Sequence, residues 1–155
     1  MAEVSDRCHL YRWELLRFGN SPTDIDVRVH ASLSEDHTDS RVTLHLEVTY
    51  SYMRTMIRRP LLQHAVDVEF EIPDISKVLV PVINGEKIAI PPSLVTMMLG
   101  IAVGALRGMI AQRTAGTALE ERPLPLINIS SLVSRLIYGE PSGRRVIPLE
   151  EPVCR

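Results

Sequence analysis

The side chains most able to do chemistry in this chain are His30, His45 and His64, together with Glu47, Asp67 and Glu69. Imidazole and carboxylate groups in combination suit a divalent cation. His45 and Glu47 stand two residues apart, so on a strand they share a face. A metal centre needs tight convergence in a dry pocket with a supporting second layer of hydrogen bonds. An open, wet sheet face supplies neither, so the expected role is a solvated face of ion pairs, and no metal ligand is assigned. Serine and histidine occur in no recognised nucleophile context: there is no Gly-x-Ser-x-Gly elbow and no cysteine at a known spacing from a histidine. The Gly-x-x-x-x-Gly-Lys phosphate loop and the dinucleotide fingerprint are also missing. No catalytic residue and no cofactor is therefore expected, and binding is favoured over catalysis. A small metal- or ligand-binding protein that uses the histidine-rich face is an alternative.

A different kind of capability lies in residues 93–114. Leu94, Met97, Met98, Ile101, Leu106 and Met109 surround this predicted helix on most sides, and a helix apolar nearly all round is covered on more than one side. Gly100, Gly104 and Gly108 recur every four residues and fall on one face. Each costs about 1 kcal/mol against Ala in a helix interior. Close approach of another backbone is the usual reason for such a row. Three coverings are open: the domain's own layers, a second copy, or a groove that takes segments of other proteins. Met97, Met98, Ile101 and Met109 are the expected lining of such a groove, since methionine adapts to varied partners. Gly100, Gly104 and Gly108 are the expected close-packing residues.

The elements that must position these residues follow from periodicity. Residues 9–18 read as a strand, and 19–22 (Gly-Asn-Ser-Pro) break it. Asp26 to Ser34, Arg41 to Tyr52 and Leu62 to Ile72 alternate apolar and polar residues. Val42, Leu44, Leu46 and Val48 share one face with Val66, Val68 and Phe70 of the next strand. Short polar links predict an antiparallel meander with one covered face and one wet face. His30, His45, His64, Glu47, Asp67 and Glu69 are placed on the wet face. Asn84-Gly85 marks either a hairpin or a loop over the sheet. Pro91-Pro92-Ser93 opens the helix and Gly116 stops it. A linker leads to a second helix, Leu132 to Tyr138. The fold class is thus α+β: a four-stranded antiparallel sheet followed by a long helix and a short C-terminal helix, in one domain over residues 1–139. Residues 140–155, rich in Pro and charge, read as a disordered tail.

Totals narrow the classes further. The 155 residues suffice for one domain with a real core, and 45% are apolar. The net charge of −2 gives no basic excess for nucleic acid. Among the 17 basic residues only Lys77 and Lys87 are lysines, a bias toward planar, paired contacts. Cys8 and Cys154 form no metal spacing and no disulfide framework, so a reducing, cytoplasmic setting is expected. The first residues lack an apolar run, so no signal peptide is read. The uncharged run 88–106 reads as a buried helix, with no membrane insertion.

The order of parts resembles the SecB-like protein-export chaperones. The likeness rests on Ile90-Pro91-Pro92, on Gly100 to Ile110 with its Arg107-Gly108 pair, and on Leu124-Pro125-Leu126-Ile127-Asn128-Ile129. It is nearest to a short SecB-like branch, and it spans roughly residues 7–138. The resemblance implies a four-stranded sheet backed by helices and assembly as a homo-oligomer, a dimer or a dimer of dimers. It also implies holding of unfolded polypeptide clients in apolar grooves, and in export versions delivery to a SecA-type motor. Some relatives work beside toxin–antitoxin pairs. A dedicated partner-binding subunit of a fixed complex is the other binding reading.

Overall fold

The computed structural model describes residues 2–11, 25–36, 40–54, 57–78, 80–81, 88–138 and 146–148. The strict alternation of Arg41–Arg54 makes it the central strand β3, and its even-numbered side chains from Val42 to Tyr50 are fully buried. On either side lie β2 (Ile25–Asp36) and β4 (Ile57–Glu71), both antiparallel to β3. Val29, Val48 and His64 lie side by side in this register, as do Ala31, Leu46 and Val66. One pleat face of all three strands is therefore the floor of the core. Pro60 has no N–H to give the ladder, and there the register shifts: Tyr50 faces Leu62 while Ser51 faces Pro60.

The first strand, β1 (Ala2–Leu10), differs from expectation in two ways. It starts earlier than the predicted strand 9–18, most of which lies outside the described residues. It also pairs with β4 rather than β2, so the order is β1-β4-β3-β2 and the meander covers β2, β3 and β4 only. Three hairpin-linked strands plus a fourth beside one end is a Greek-key arrangement read from the other end of the chain. Asp6 interrupts an otherwise apolar even-numbered row, Ala2, Val4, Cys8 and Leu10, and this hid the alternation.

After β4 comes a single helical turn, α1 (Ile75–Val78), whose Ile75 is buried. Two short strands, β5 (Val80–Pro81) and β6 (Ile88–Ala89), then pair antiparallel. They flank the predicted Asn84-Gly85 turn, itself outside the described residues. The long helix α2 runs Pro92–Thr114 with proline at its first position. Gly116, at φ +73°, takes the left-handed conformation just past its end. An extended segment leads to α3 (Ile129–Tyr138), where the Asn128 Oδ1 accepts from the Ser131 N–H at 3.1 Å as a cap. The second helix thus starts earlier than the sequence suggests.

Helix α2 packs on β3 and β4, and α3 packs on α2 and β2. Val95, Met98, Leu99, Ala102, Leu106 and Ile110 of α2 meet the sheet's inner face, and Leu132 and Val133 of α3 complete the core. Within the tail read as disordered, Val146–Pro148 forms a short strand, β7, antiparallel to the outer edge of β2. The remainder of that tail lies outside the described residues.

Candidate functional site

The sheet face turned away from the helices carries the ionisable residues, and they are engaged with one another. Strand register sets His45 opposite Asp67, and its Nδ1 hydrogen-bonds the Asp67 Oδ1. The Glu47 Oε2 lies 3.8 Å from the other ring nitrogen, and the His30 ring centroid is 6.4 Å from that of His45. Arg7 reaches Asp67 at 3.8 Å and Arg41 reaches Glu69 at 2.8 Å. This is cross-strand pairing on a wet surface, which contributes only tenths of a kcal/mol per pair. Among the described residues, no group of three or more His, Cys, Asp or Glu side chains could hold a metal ion.

His64 does not belong to this face. Its even number puts it in line with Leu62 and Val66, and it is 0% exposed on the helix side of the sheet. Parity along β4 would have placed it inside; grouping it by chemistry with His30 and His45 misplaced it. Its Nε2 is 3.1 Å from the Asp6 carboxylate of β1. Burial pushes the His64 pKa down, against the opposing pull of Asp6. Cys8, directly across the ladder from His64, has its thiol pKa pushed up by partial burial. A thiol held protonated in this way is a poor nucleophile.

The outer face of α2 has the opposite character. Ser93, Met97, Gly100, Ile101, Gly104, Gly108 and Ala111 are all exposed along it. Met97 is 55% and Ile101 48% exposed, which is large for apolar side chains standing together on one helix. From Pro92 to Gln112 the one charge is Arg107, whose Nη2 donates to the Pro125 carbonyl at 3.1 Å. That bond ties the extended segment to the helix and leaves Leu126, the next residue, 88% exposed. Leu124 is buried in the core while Leu126, two residues on, is exposed, so this segment departs from the period-two alternation that would put both leucines on one side. Sequence reasoning did not assign Leu126 to the site, and strand alternation would have buried it beside Leu124.

The groove residues expected from sequence therefore separate. Met97 and Ile101 stand on the open face, and Met109 is half-buried against the core. Met98 is 1% exposed and packs in the core, so it lines no surface; at 100° per residue it lies on the sheet side of the helix. A Cβ placed on Gly100, Gly104 or Gly108 meets nothing within 4 Å. Within one chain these glycines accommodate no close neighbour, although each weakens the helix by about 1 kcal/mol. By length and composition α2 is apolar enough to cross a membrane. No family model, no curated protein sequence and no solved structure matches this chain.

Proposed function

We propose that the chain is a non-enzymatic, SecB-like holdase that binds extended or unfolded polypeptide through the outer face of α2. The observation that supports this reading is the uncharged helix face holding exposed Met97 and Ile101, together with exposed Leu126 on the extended segment that Arg107 ties to the helix. Covering apolar surface gains roughly 25 cal/mol per Å², without regard to the client's sequence, so a shallow face holds many segments weakly. The glycine row lets a client backbone lie close to the helix axis. In this reading the protein works in the cytoplasm as a homo-oligomer, uses no cofactor, and a SecA-type motor is a partner in an export role.

The test is suppression of aggregation of two unrelated unfolded proteins, with particle size followed in parallel. Wild-type protein is expected to hold both clients. The double variant Met97→Ser/Ile101→Ser is expected to hold neither, while His45→Ala/Glu47→Ala holds both. Loss of holding in the sheet-face variant, with the helix-face variant unaffected, would move the site to the histidine-rich face. Holding of one protein only would favour a dedicated partner subunit.

A further inference from the structure

We propose that His64 is a proton-sensitive catch for the edge strand β1, so that mild acid releases β1 from the sheet. Three elements meet at one carboxylate. Asp6 of β1 receives His64 Nε2 of β4 at 3.1 Å and Arg113 Nη2 of α2 at 3.5 Å. Apart from this cluster β1 has little to hold it beyond its backbone ladder and the exposed Arg7–Asp67 ion pair: residues 2–7 are exposed, and Cys8 and Leu10 pack partly against the core.

The geometry gives the direction. An Nε2–H that donates to the Asp6 carboxylate leaves the bare nitrogen at Nδ1, a tautomer assigned from the hydrogen bond. Nδ1 is buried and has no hydrogen-bond partner. A proton added to His64 must go there, creating an N–H with no acceptor and a charge in apolar surroundings. The ionisable groups facing His64 are few. From β1 come Asp6, already shared with Arg113, and Cys8, whose thiol stays protonated. From α2 comes Arg113, which opposes a second positive charge. On β3 the inward residues nearby are Leu46, Val48 and Tyr50, and burial holds the Tyr50 phenol neutral. Lifting β1 lets water reach Nδ1 and frees His64 to take its proton.

The linkage sign follows. The pKa of His64 is lowered below 6.5 when β1 is docked, chiefly by burial. Docking is therefore fully favoured above that ordinary value, weakens as pH falls from it toward the depressed value, and levels off below the depressed value. The inference does not depend on the polypeptide-binding reading, because its readout is the strand itself.

Amide hydrogen exchange of the full chain from pH 7.5 to 5.0, corrected for intrinsic rates, tests the catch. In wild-type protein, protection of the β1 amides that face β4 is expected to fall, approaching tenfold per pH unit below about 6.5, while β3 amides keep theirs. His64→Gln retains a donor for Asp6 and cannot titrate, so its β1 protection is expected to be flat. Should that variant not fold, Asp6→Asn decides: without the countercharge the imidazolium is harder to form in the docked state, and the loss of protection is expected to continue to lower pH than in the wild type. The proposal is overturned by β1 protection that ignores pH in the wild type, by equal loss in His64→Gln, by simultaneous loss in β3, or by a flat profile in Asp6→Asn.

Discussion

Neighbouring methionines on α2 offer a direct test of which surface works. Met97 is 55% exposed and Met98 1% exposed, one residue apart on the same helix. Fully burying such a side chain is worth about 1.5–3 kcal/mol. The exposed halves of Met97 and Ile101 therefore offer about 1 kcal/mol each to a partner, and truncating both to serine is expected to weaken client binding by about 2 kcal/mol, roughly 30-fold. Folding should be affected little, because those halves face water already. Met98→Ser removes a buried side chain and should cost about 2–5 kcal/mol of stability. At roughly 3 °C per kcal/mol for a chain of this length, that lowers Tm by about 6–15 °C. Thermal melting reports folding, and binding of a fluorescent unfolded client, titrated with variants shown to be folded, reports the surface. If Met97→Ser/Ile101→Ser binds client as tightly as wild type, the outer helix face is not the site. Should it melt as early as Met98→Ser, that face is core in the working assembly.

The remaining predictions concern the glycine row, a buried phenol and the tail. Gly104→Ala should raise helix stability by about 1 kcal/mol and Tm by about 3 °C in the folded chain, since its Cβ meets nothing; a fall in Tm would mean that a partner backbone occupies that space. Gly104→Leu should leave the fold intact and abolish client binding or self-association, seen by sedimentation, whereas Thr96→Leu should not. The Tyr50 hydroxyl is buried without a hydrogen-bond partner, so Tyr50→Phe should leave Tm unchanged or raise it by about 3 °C, and a drop of that size would reveal a bonded hydroxyl. Truncation after Glu140 removes β7, which pairs only with Arg28, Val29 and His30; the expected loss is about 1–2 kcal/mol, and a much larger fall in Tm would show deeper docking.

Much of this fold was legible because burial leaves a periodic trace. Val42 to Val48 alternate so strictly that their inner face and antiparallel neighbours could be read directly. Pro91-Pro92 and Gly116 marked the ends of α2 through backbone geometry alone. Most of what stayed hidden lacks such a trace. Strand β1 is an exposed edge whose inward row contains a charge at Asp6, and its neighbour is set by long-range topology. His64 did leave a parity trace with Leu62 and Val66, but grouping it by chemistry overrode it, and the partner that accompanies its burial, Asp6, is remote in sequence. The four-residue glycine spacing was visible, but whether the domain's own layers fill the space beside it is a three-dimensional fact. Met97 and Met98 are equivalent by composition, and only the rotation of the helix over β3 and β4 separates them.

The placing of β1 beside β4 has a consequence during synthesis. Leu10 pairs with Leu62 and Ala2 with Phe70, so β1 is made long before its partner exists. At roughly 5–20 residues per second it waits on the order of 3–12 s before β4 emerges from the ribosome. Meanwhile the hairpins β2–β3 and then β3–β4 can close locally, which is the faster kind of contact to form. The nascent chain thus passes through a three-stranded stage whose β4 edge is open, with β1 joining last. A bulky domain fused ahead of Ala2 would be expected to slow that final step and leave the three-stranded intermediate exposed to aggregation, a defect visible as lower soluble yield at unchanged Tm.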